Sequence, residues 1–262
     1  MNPEDVSVCL VSYARPWNIP IICKSLLDYG FRDIVVADNW QDDRLLKTQF
    51  EPGLLSRIRL ECSDSNVRTA ARYAPLGNMV KNDVIATVDD DYVVTHKGWD
   101  RLFDAWDGTR IVAQVPPGSQ LANAHKVPFL NLGYGSLFRR DWPCLVFAYL
   151  IAGGLIDRVE WDTFADRIFT TFFGSWTAIE ATEESLVKLK NYDGKYSETD
   201  GSSIHLKDGY WVTQWDLVMR VMIMRRQARI LMQDRDPSLS EFREQMGFLS
   251  RIGYGDYLLG NG

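Results

Sequence analysis

Three consecutive acids, Asp89, Asp90 and Asp91, close an apolar, β-branched run that reads VIATVDDD from Val84. Carboxylates packed this closely at the end of a buried strand repel one another, so they need a cation or several hydrogen-bond donors to offset the repulsion. Mn²⁺ and Mg²⁺ are suited to the task, because they take oxygen ligands and commonly combine one or two carboxylates with phosphate oxygens and water. The alternative is an acidic turn whose aspartates cap a helix beginning near Thr95. A second acidic group lies in EWDTFADRIFTTFFG, where Glu160, Asp162 and Asp166 precede and enter an apolar helix. Four residues separate Asp162 from Asp166, which places both on one helical face, where they would shift each other's pKa. Pairing with Arg158 or Arg167 on an exposed helix turn is the structural alternative.

Short apolar runs alternate with amphipathic stretches through the first half of the chain, the pattern of strand and helix repeats built on a largely parallel sheet. Val6 to Tyr13 reads as the first strand, followed by a helix with Pro20 in its first turn that Gly30 stops. Asp33 to Asn39 and Arg57 to Glu61 read as the next two strands, Ser65 to Tyr73 as a helix entry, and Val84 to Asp91 as the fourth strand. Beyond it the pattern predicts a helix over Trp99 to Trp106, a strand in IVAQVPP, and a glycine-rich strand or hairpin, FLNLGYGSLFRRDWP, feeding another helix. In open α/β sheets ligands bind outside the carboxyl ends of the strands, the edge where the three aspartates fall. From Ser185 the pattern loosens into a loop at Asp193 to Ser203, a long helix at Tyr210 to Gln233 and a last helix that Ser238 would cap.

Composition narrows the class. The 262 residues are 46% hydrophobic and 24% charged, which is ordinary for a globular protein and argues against disorder. A net charge of -6 argues against a protein that coats nucleic acid over its whole surface. Cys9, Cys23, Cys62 and Cys144 show no paired zinc-ligand spacing and read as reduced, mostly buried thiols. No secretory leader and no membrane-spanning segment is legible, which predicts a cytoplasmic protein.

Strand ends reading SYAR and ADN, the NVRTAAR segment and the strand ending in DDD together resemble the nucleotide-sugar half of GT-A glycosyltransferases, the exostosin-like and family 2-like type in particular. The resemblance spans roughly Val6 to Gly174. It implies an α/β, Rossmann-like, mostly parallel sheet flanked by helices over residues 1–184, with 185–262 as a helical C-terminal extension that completes the acceptor site. It further implies a metal-dependent enzyme that moves a sugar from a nucleotide diphosphate, a UDP-sugar first among the donors, to an acceptor hydroxyl. In that scheme Asp89 binds ribose, Asp91 ligates Mn²⁺ or Mg²⁺ with help from Asp89, and Asp90 assists either role. Arg15 and Asp38 line the nucleotide pocket, with Asp38 accepting from a uracil-like imide, while Asn66, Arg68 and Arg72 hold base or diphosphate. Asp166, or in second place Asp162, is the catalytic carboxylate, used differently by retaining and inverting enzymes. His205, after the loop TDGSSI, is a further candidate metal ligand, ahead of His96 and His125.

The acceptor stays open between a glycan and a hydroxymethylated base of phage DNA, the latter drawing on Arg220, Arg225, Arg226 and Arg229 of the long helix. Those arginines read equally as the solvated face of a helix whose apolar stripe includes Val218, Met222 and Leu231. A nucleotidyltransferase is the competing enzyme class, although the first strand lacks a Gly-rich, Lys-containing loop after it. A binding protein that keeps the nucleotide-sugar pocket without turnover is the non-enzymatic reading.

Overall fold

The computed structural model describes residues 1–13, 15–39, 49–63, 66–117, 128–189 and 210–233. His125, His205, the Asp193–Ser203 loop and the helix expected after Ser238 lie outside the described residues, as does the side chain of Arg229.

The interior strands β1 (Val6–Ser12) and β2 (Asp33–Asp38) are each buried along their whole length. Parallel strands covered on both faces read as unbroken apolar runs rather than as alternation, which is what VSVCLVS and DIVVAD show. The remaining strands are β3 (Arg59–Cys62), β4 (Val84–Val88), β5 (Tyr92–Val94), β6 (Ile111–Val115), β7 (Ser136–Arg139), β8 (Trp176–Glu180) and β9 (Leu186–Lys188). Seven of them form one sheet in the order β3-β2-β1-β4-β7-β6-β8, and β5 pairs separately with β9. All neighbours in the large sheet are parallel except β7, which runs antiparallel to both β4 and β6. This is the α/β, mostly parallel Rossmann-like arrangement expected of the GT-A class. β9, immediately beyond residue 184, closes on β5 within the first part of the chain.

The helices are α1 (Ile19–Tyr29), α2 (Pro52–Leu55), α3 (His96–Ala105), α4 (Asp141–Phe147), α5 (Arg158–Phe173) and α6 (Tyr210–Gln233), with a 3₁₀ segment over Arg68–Leu76. One apolar cluster, with Leu10, Phe31 and Trp99, fills the face of the sheet under α1 and α3. Another, with Tyr73, Phe138, Trp161 and Phe169, fills the face under the 3₁₀ segment, α4 and α5, and takes in Leu217 and Val221 of α6. Thr95 caps α3 by accepting from Gly98 N at 3.2 Å, so the three aspartates are not the cap of that helix. Asp157 caps α5 in a reciprocal box with Glu160. All four cysteines are free; Cys9 and Cys23 are buried, Cys62 is exposed and Cys144 is half-buried. No helix among the described residues is long and apolar enough to cross a membrane.

Candidate active site

The carboxyl ends of β1, β2 and β4 lie side by side, with Ser12 opposite Asp38 and Leu10 opposite Val88 in the parallel register. Each chain end therefore delivers its next residues to one edge: Tyr13 and Arg15 from β1, Asp38 and Asn39 from β2, and Asp89 to Asp91 from β4. β4 ends at Val88, and Asp90 and Asp91 form the turn that leads into β5.

Asp90 is 4% exposed and turns inward. Its two oxygens accept from Tyr13 N and the Arg15 guanidinium, both at 2.7 Å, and its backbone carbonyl accepts from Asn18 Nδ2 at 2.8 Å. Arg15 is thereby a partner of the middle aspartate. Burial pushes the Asp90 carboxyl up to about 7, against the lowering pull of Arg15, and Asp91 and Asp89 add to the rise. Asp91 is raised to about 6 by burial and by Asp89, while Arg15 and Lys188 of β9 pull it down. Leu189 N donates to the Asp91 carbonyl at 2.8 Å, which carries Lys188 to this side of the sheet.

Asp89 has a side chain 38% exposed, and it meets Arg72 Nη2 at 2.7 Å. Arg72, on the 3₁₀ segment, is 4% exposed; its Nη1 donates to Asp166 Oδ2 at 2.8 Å, so one guanidinium bridges Asp89 and Asp166. Burial lowers the Arg72 pKa, yet Asp166 and Asp89 outweigh it and hold the group above its ordinary value. The remaining Asp166 contacts are Tyr73 Oη at 2.8 Å and Leu132 N at 3.0 Å. Burial raises the Asp166 carboxyl, opposed first by Arg72. The glycine-rich segment before β7 crosses over this group: Asp89 N donates to Gly133 O at 2.9 Å, and a Cβ at Gly133 would collide with the Asp89 carboxylate.

Asp162 is not drawn into this group. It accepts from Arg158 Nε at 3.0 Å, the i, i+4 surface pair, and its carboxyl is raised by burial against Arg158 and Arg68. The two acids four residues apart do not share a face because α5 kinks between them, with Phe164 at φ −127°, ψ 23°. The mutual pKa shift expected from ideal helical spacing is absent for that reason.

At the end of β2, Asn39 accepts from Val67 N at 2.9 Å and donates to Asn66 Oδ1 at 2.9 Å, and Asn66 in turn accepts from Arg68 N at 2.8 Å. This ring of amide contacts holds Arg68 at φ 51°, a left-handed conformation that costs a non-glycine residue about 1 kcal/mol or more. The Arg68 guanidinium bonds Thr163 Oγ1 of α5. Beside Asp38 a small cleft is lined by Ala37, Glu61, Ser63, Val67, Ala71 and Ala74. Its walls are mostly small apolar groups, and Asp38 supplies an acceptor. Sequence reasoning missed Asn39, Tyr73, Gly133 and Lys188. Of these only Asn39, in the quoted ADN, and Gly133, in the glycine-rich run, carried a local signal.

The donor set of the aspartates fits a hard divalent cation. Asp90 is bonded to Arg15, and Asp89 and Asp166 to Arg72; with Asp91 beside them the four carboxylates exceed these two guanidinium groups by two negative charges, which one such ion offsets. No cluster of three or more His, Cys, Asp or Glu side chains gathers among the described residues. Asp89 and Asp91 would thus hold an ion together with oxygens from a bound phosphate and water, rather than as a closed protein cage. Arg220 of α6 bonds Glu160 and also Asp216, the latter at 3.1 Å, and Arg225 donates to Gly174 O at 3.2 Å. These two arginines are engaged by partners of the same chain; Arg226 is exposed.

No family model matches the chain, and no curated protein matches it in sequence. Among solved structures, 4-diphosphocytidyl-2C-methyl-D-erythritol synthase from Anaerococcus prevotii is similar with a TM-score of 0.52 at 11% identity, over 73% of this chain and 94% of that one. A mannosyltransferase from Pyrobaculum calidifontis, in complex with GDP-mannose and Mn²⁺, has a TM-score of 0.49 at 16% identity, over 74% of this chain and 60% of that one. Glucosyl-3-phosphoglycerate synthase from Mycobacterium tuberculosis, in complex with Mn²⁺, UDP-glucose and phosphoglyceric acid, has a TM-score of 0.49 at 11% identity, over 85% and 81%. At these identities likeness bears on the fold, and the synthase from Anaerococcus prevotii shares that α/β fold with this chain.

Proposed function

We propose that this protein is a metal-dependent glycosyltransferase that moves a sugar from a nucleotide diphosphate, a UDP-sugar first among the donors, to an acceptor hydroxyl. The observation that carries the reading is the division of labour among the three aspartates. Asp90 is committed to Arg15 and Tyr13 N, which leaves Asp89, sharing Arg72 with Asp166, and Asp91 to meet a ligand at the carboxyl edge of the sheet.

In this reading the base lies at the end of β2 beside Asp38, whose carboxylate accepts from an imide N–H, and Asp89 takes the ribose. Asp91 and Asp89 hold Mn²⁺ or Mg²⁺, with His205 as a further ligand candidate. When bound, the ion supplies Lewis-acid neutralisation of the leaving diphosphate. Arg72 and Arg68 add fixed positive charge on the same side, and Asn66 sets the Arg68 backbone. Asp166 is the candidate carboxylate for the transfer step, with Asp162 second. Without ligand Asp166 is held by Arg72, Tyr73 and Leu132 N, so exchange of Arg72 onto the diphosphate is the event that brings Asp166 into play. A nucleotidyltransferase is disfavoured because the turn after β1 places Arg15 on Asp90 instead of presenting a Gly-rich, Lys-containing loop.

A thermal-shift panel of UDP-, GDP-, CDP- and TDP-sugars with and without Mn²⁺ tests the reading. A donor at a hundredfold excess over its Kd stabilises by about 2.7 kcal/mol, a rise of roughly 5 to 10 °C for a domain of this size. The expected outcome is a metal-dependent rise with one nucleotide, and Asp166→Asn keeping that rise while losing transfer. Absence of any metal-dependent rise sinks the proposal.

A further inference from the structure

α6 is apolar on two opposite sides. Its inward side buries Leu217, Val218 and Val221, the first and last in the core shared with α5 and Val218 on Phe129. On the other side Trp215, Met219, Met222 and Ile223 recur at i, i+4, i+7 and i+8 and so line one face. These four large side chains are between 40% and 55% exposed. A helix apolar on both sides belongs between two layers, and a run of exposed apolar side chains on one face marks an interaction surface. The charges at the two ends of the stripe differ in sign. Exposed Asp216 flanks it toward the N-terminal end of the helix and exposed Arg226 toward the C-terminal end. Asp216 and Arg226 stand five positions either side of Val221, and Met219 and Ile223 stand two. The face is therefore complementary to itself when a second helix of the same sequence lies across it in the opposite direction.

We propose that this face of α6 pairs with the same face of a second copy of the chain, antiparallel about a two-fold axis level with Val221. Met219 then meets Ile223 of the second copy, Asp216 meets its Arg226, and Trp215 and Met222 close over the seam. A two-fold interface uses one patch twice, so it requires self-complementary charge. Parallel pairing would instead set Asp216 on Asp216 and Arg226 on Arg226. Asp216 also accepts from Arg220 Nε at 3.1 Å along its own helix, and an exposed carboxylate has lone pairs for a second donor. A lipid surface is the poorer fit. Helices that lie on membranes set Lys and Arg along the side opposite the apolar one, whereas that side of α6 is buried in the protein and an acid flanks the stripe. From Trp215 to Ile223 the stripe runs about 12 Å at 1.5 Å per residue, short for an obligate interface, so the dimer is reversible. The inference needs no nucleotide or metal and stands apart from the donor reading.

Sedimentation velocity on the full chain from about 1 to 300 μM reads the pairing directly, and a monomer to dimer equilibrium within that range is expected. Met219→Glu sets like charges at the centre of the seam and should weaken the dimer about tenfold or more, with Tm unchanged in dilute, monomeric samples. Asp216→Arg and Arg226→Asp should each weaken self-pairing about tenfold, because each turns two attractive contacts into two repulsive ones. An equimolar mixture of these two variants restores every opposite-charge contact, so its mixed dimer should approach the affinity of the unaltered chain. A merely local effect on the helix would not be rescued by mixing. A chain that stays monomeric throughout overturns the proposal, and capture of that monomer by phosphatidylserine vesicles reassigns the stripe to a lipid surface. A dimer that ignores Met219→Glu, or a mixture no tighter than either variant alone, overturns it as well.

Discussion

Replacement of Arg72 by Gln removes the cation that bridges Asp89 and Asp166, and the two contacts are not equivalent. Asp89 is partly exposed, so solvent compensates much of its loss, and that half is worth at most about 1 kcal/mol. Asp166 is enclosed, and without Arg72 its carboxylate retains only Tyr73 Oη and Leu132 N. Removal of one partner from a buried pair costs about 3 to 5 kcal/mol, a large fraction of a typical stability of about 5 to 15 kcal/mol. A fall in Tm of about 10 °C follows. The cost also depends on pH. Burial already raises the Asp166 pKa above that of an unfolded aspartate, and loss of its main opposing partner raises it further. A group with a raised folded pKa favours the fold at pH values below the unfolded pKa, and that contribution disappears as pH rises through the folded pKa. Urea denaturation at pH 5 and pH 8 should therefore show a smaller loss for Arg72→Gln at pH 5. The double variant with Asp166→Asn should lose less than the sum of the single variants, by about 1 kcal/mol or more. Equal losses at both pH values, with strict additivity, would refute the bridging account.

Asp90 and Asp91, raised to about 7 and about 6 from an ordinary value of 3.8, make the metal-free protein less stable as pH rises from about 4 to 8. Mn²⁺ with UDP should flatten that slope at its upper end; a Tm profile independent of pH would contradict it. Asp91→Asn relieves repulsion, so Tm at pH 8 without metal should hold or rise while the metal-dependent donor shift is lost. Retention of that shift would remove Asp91 from the metal site. Gly133→Ala forces the Asp89 carboxylate to move, and donor affinity measured calorimetrically should fall about tenfold or more, against an unchanged value if Asp89 takes no part.

The strands that carry the site were legible because β1, β2 and β4 are covered on both faces, so their apolar runs stand out without any knowledge of the fold. β5 and β9 are three residues each, too short for periodicity to register, and β8, in WTAIE, gave no alternation strong enough to separate it from the end of α5. Asp38, Asp89 and Asp91 could be placed at one edge from the strand ends alone. The contact of Arg72 with Asp166 joins residues 94 positions apart, and no local pattern encodes it. The hydroxyl of Tyr73 reaches Asp166 through the same long-range packing. Asp162 misled because spacing arguments assume a straight helix, and a kink at Phe164 is a tertiary effect. Asp90 was weighed together with its neighbours, because its separation from them is made in a turn beyond β4 and by its contacts with Arg15, Tyr13 N and Asn18, which no local pattern encodes.

β7 enters the sheet against the direction of both its neighbours, and its pairing of Ser136 with Thr87 fixes where the preceding residues fall. A slip of one position would carry Leu132 or Tyr134 into the place of Gly133, driving a side chain into Asp89, and would take the Leu132 amide away from Asp166. Misassembled chains would thus meet a steric and electrostatic obstacle at the aspartates themselves. The carboxylates proposed to handle ligand would then also act as a proofreader of strand alignment, so substitutions there that relax the crowding should be watched for heterogeneous folding.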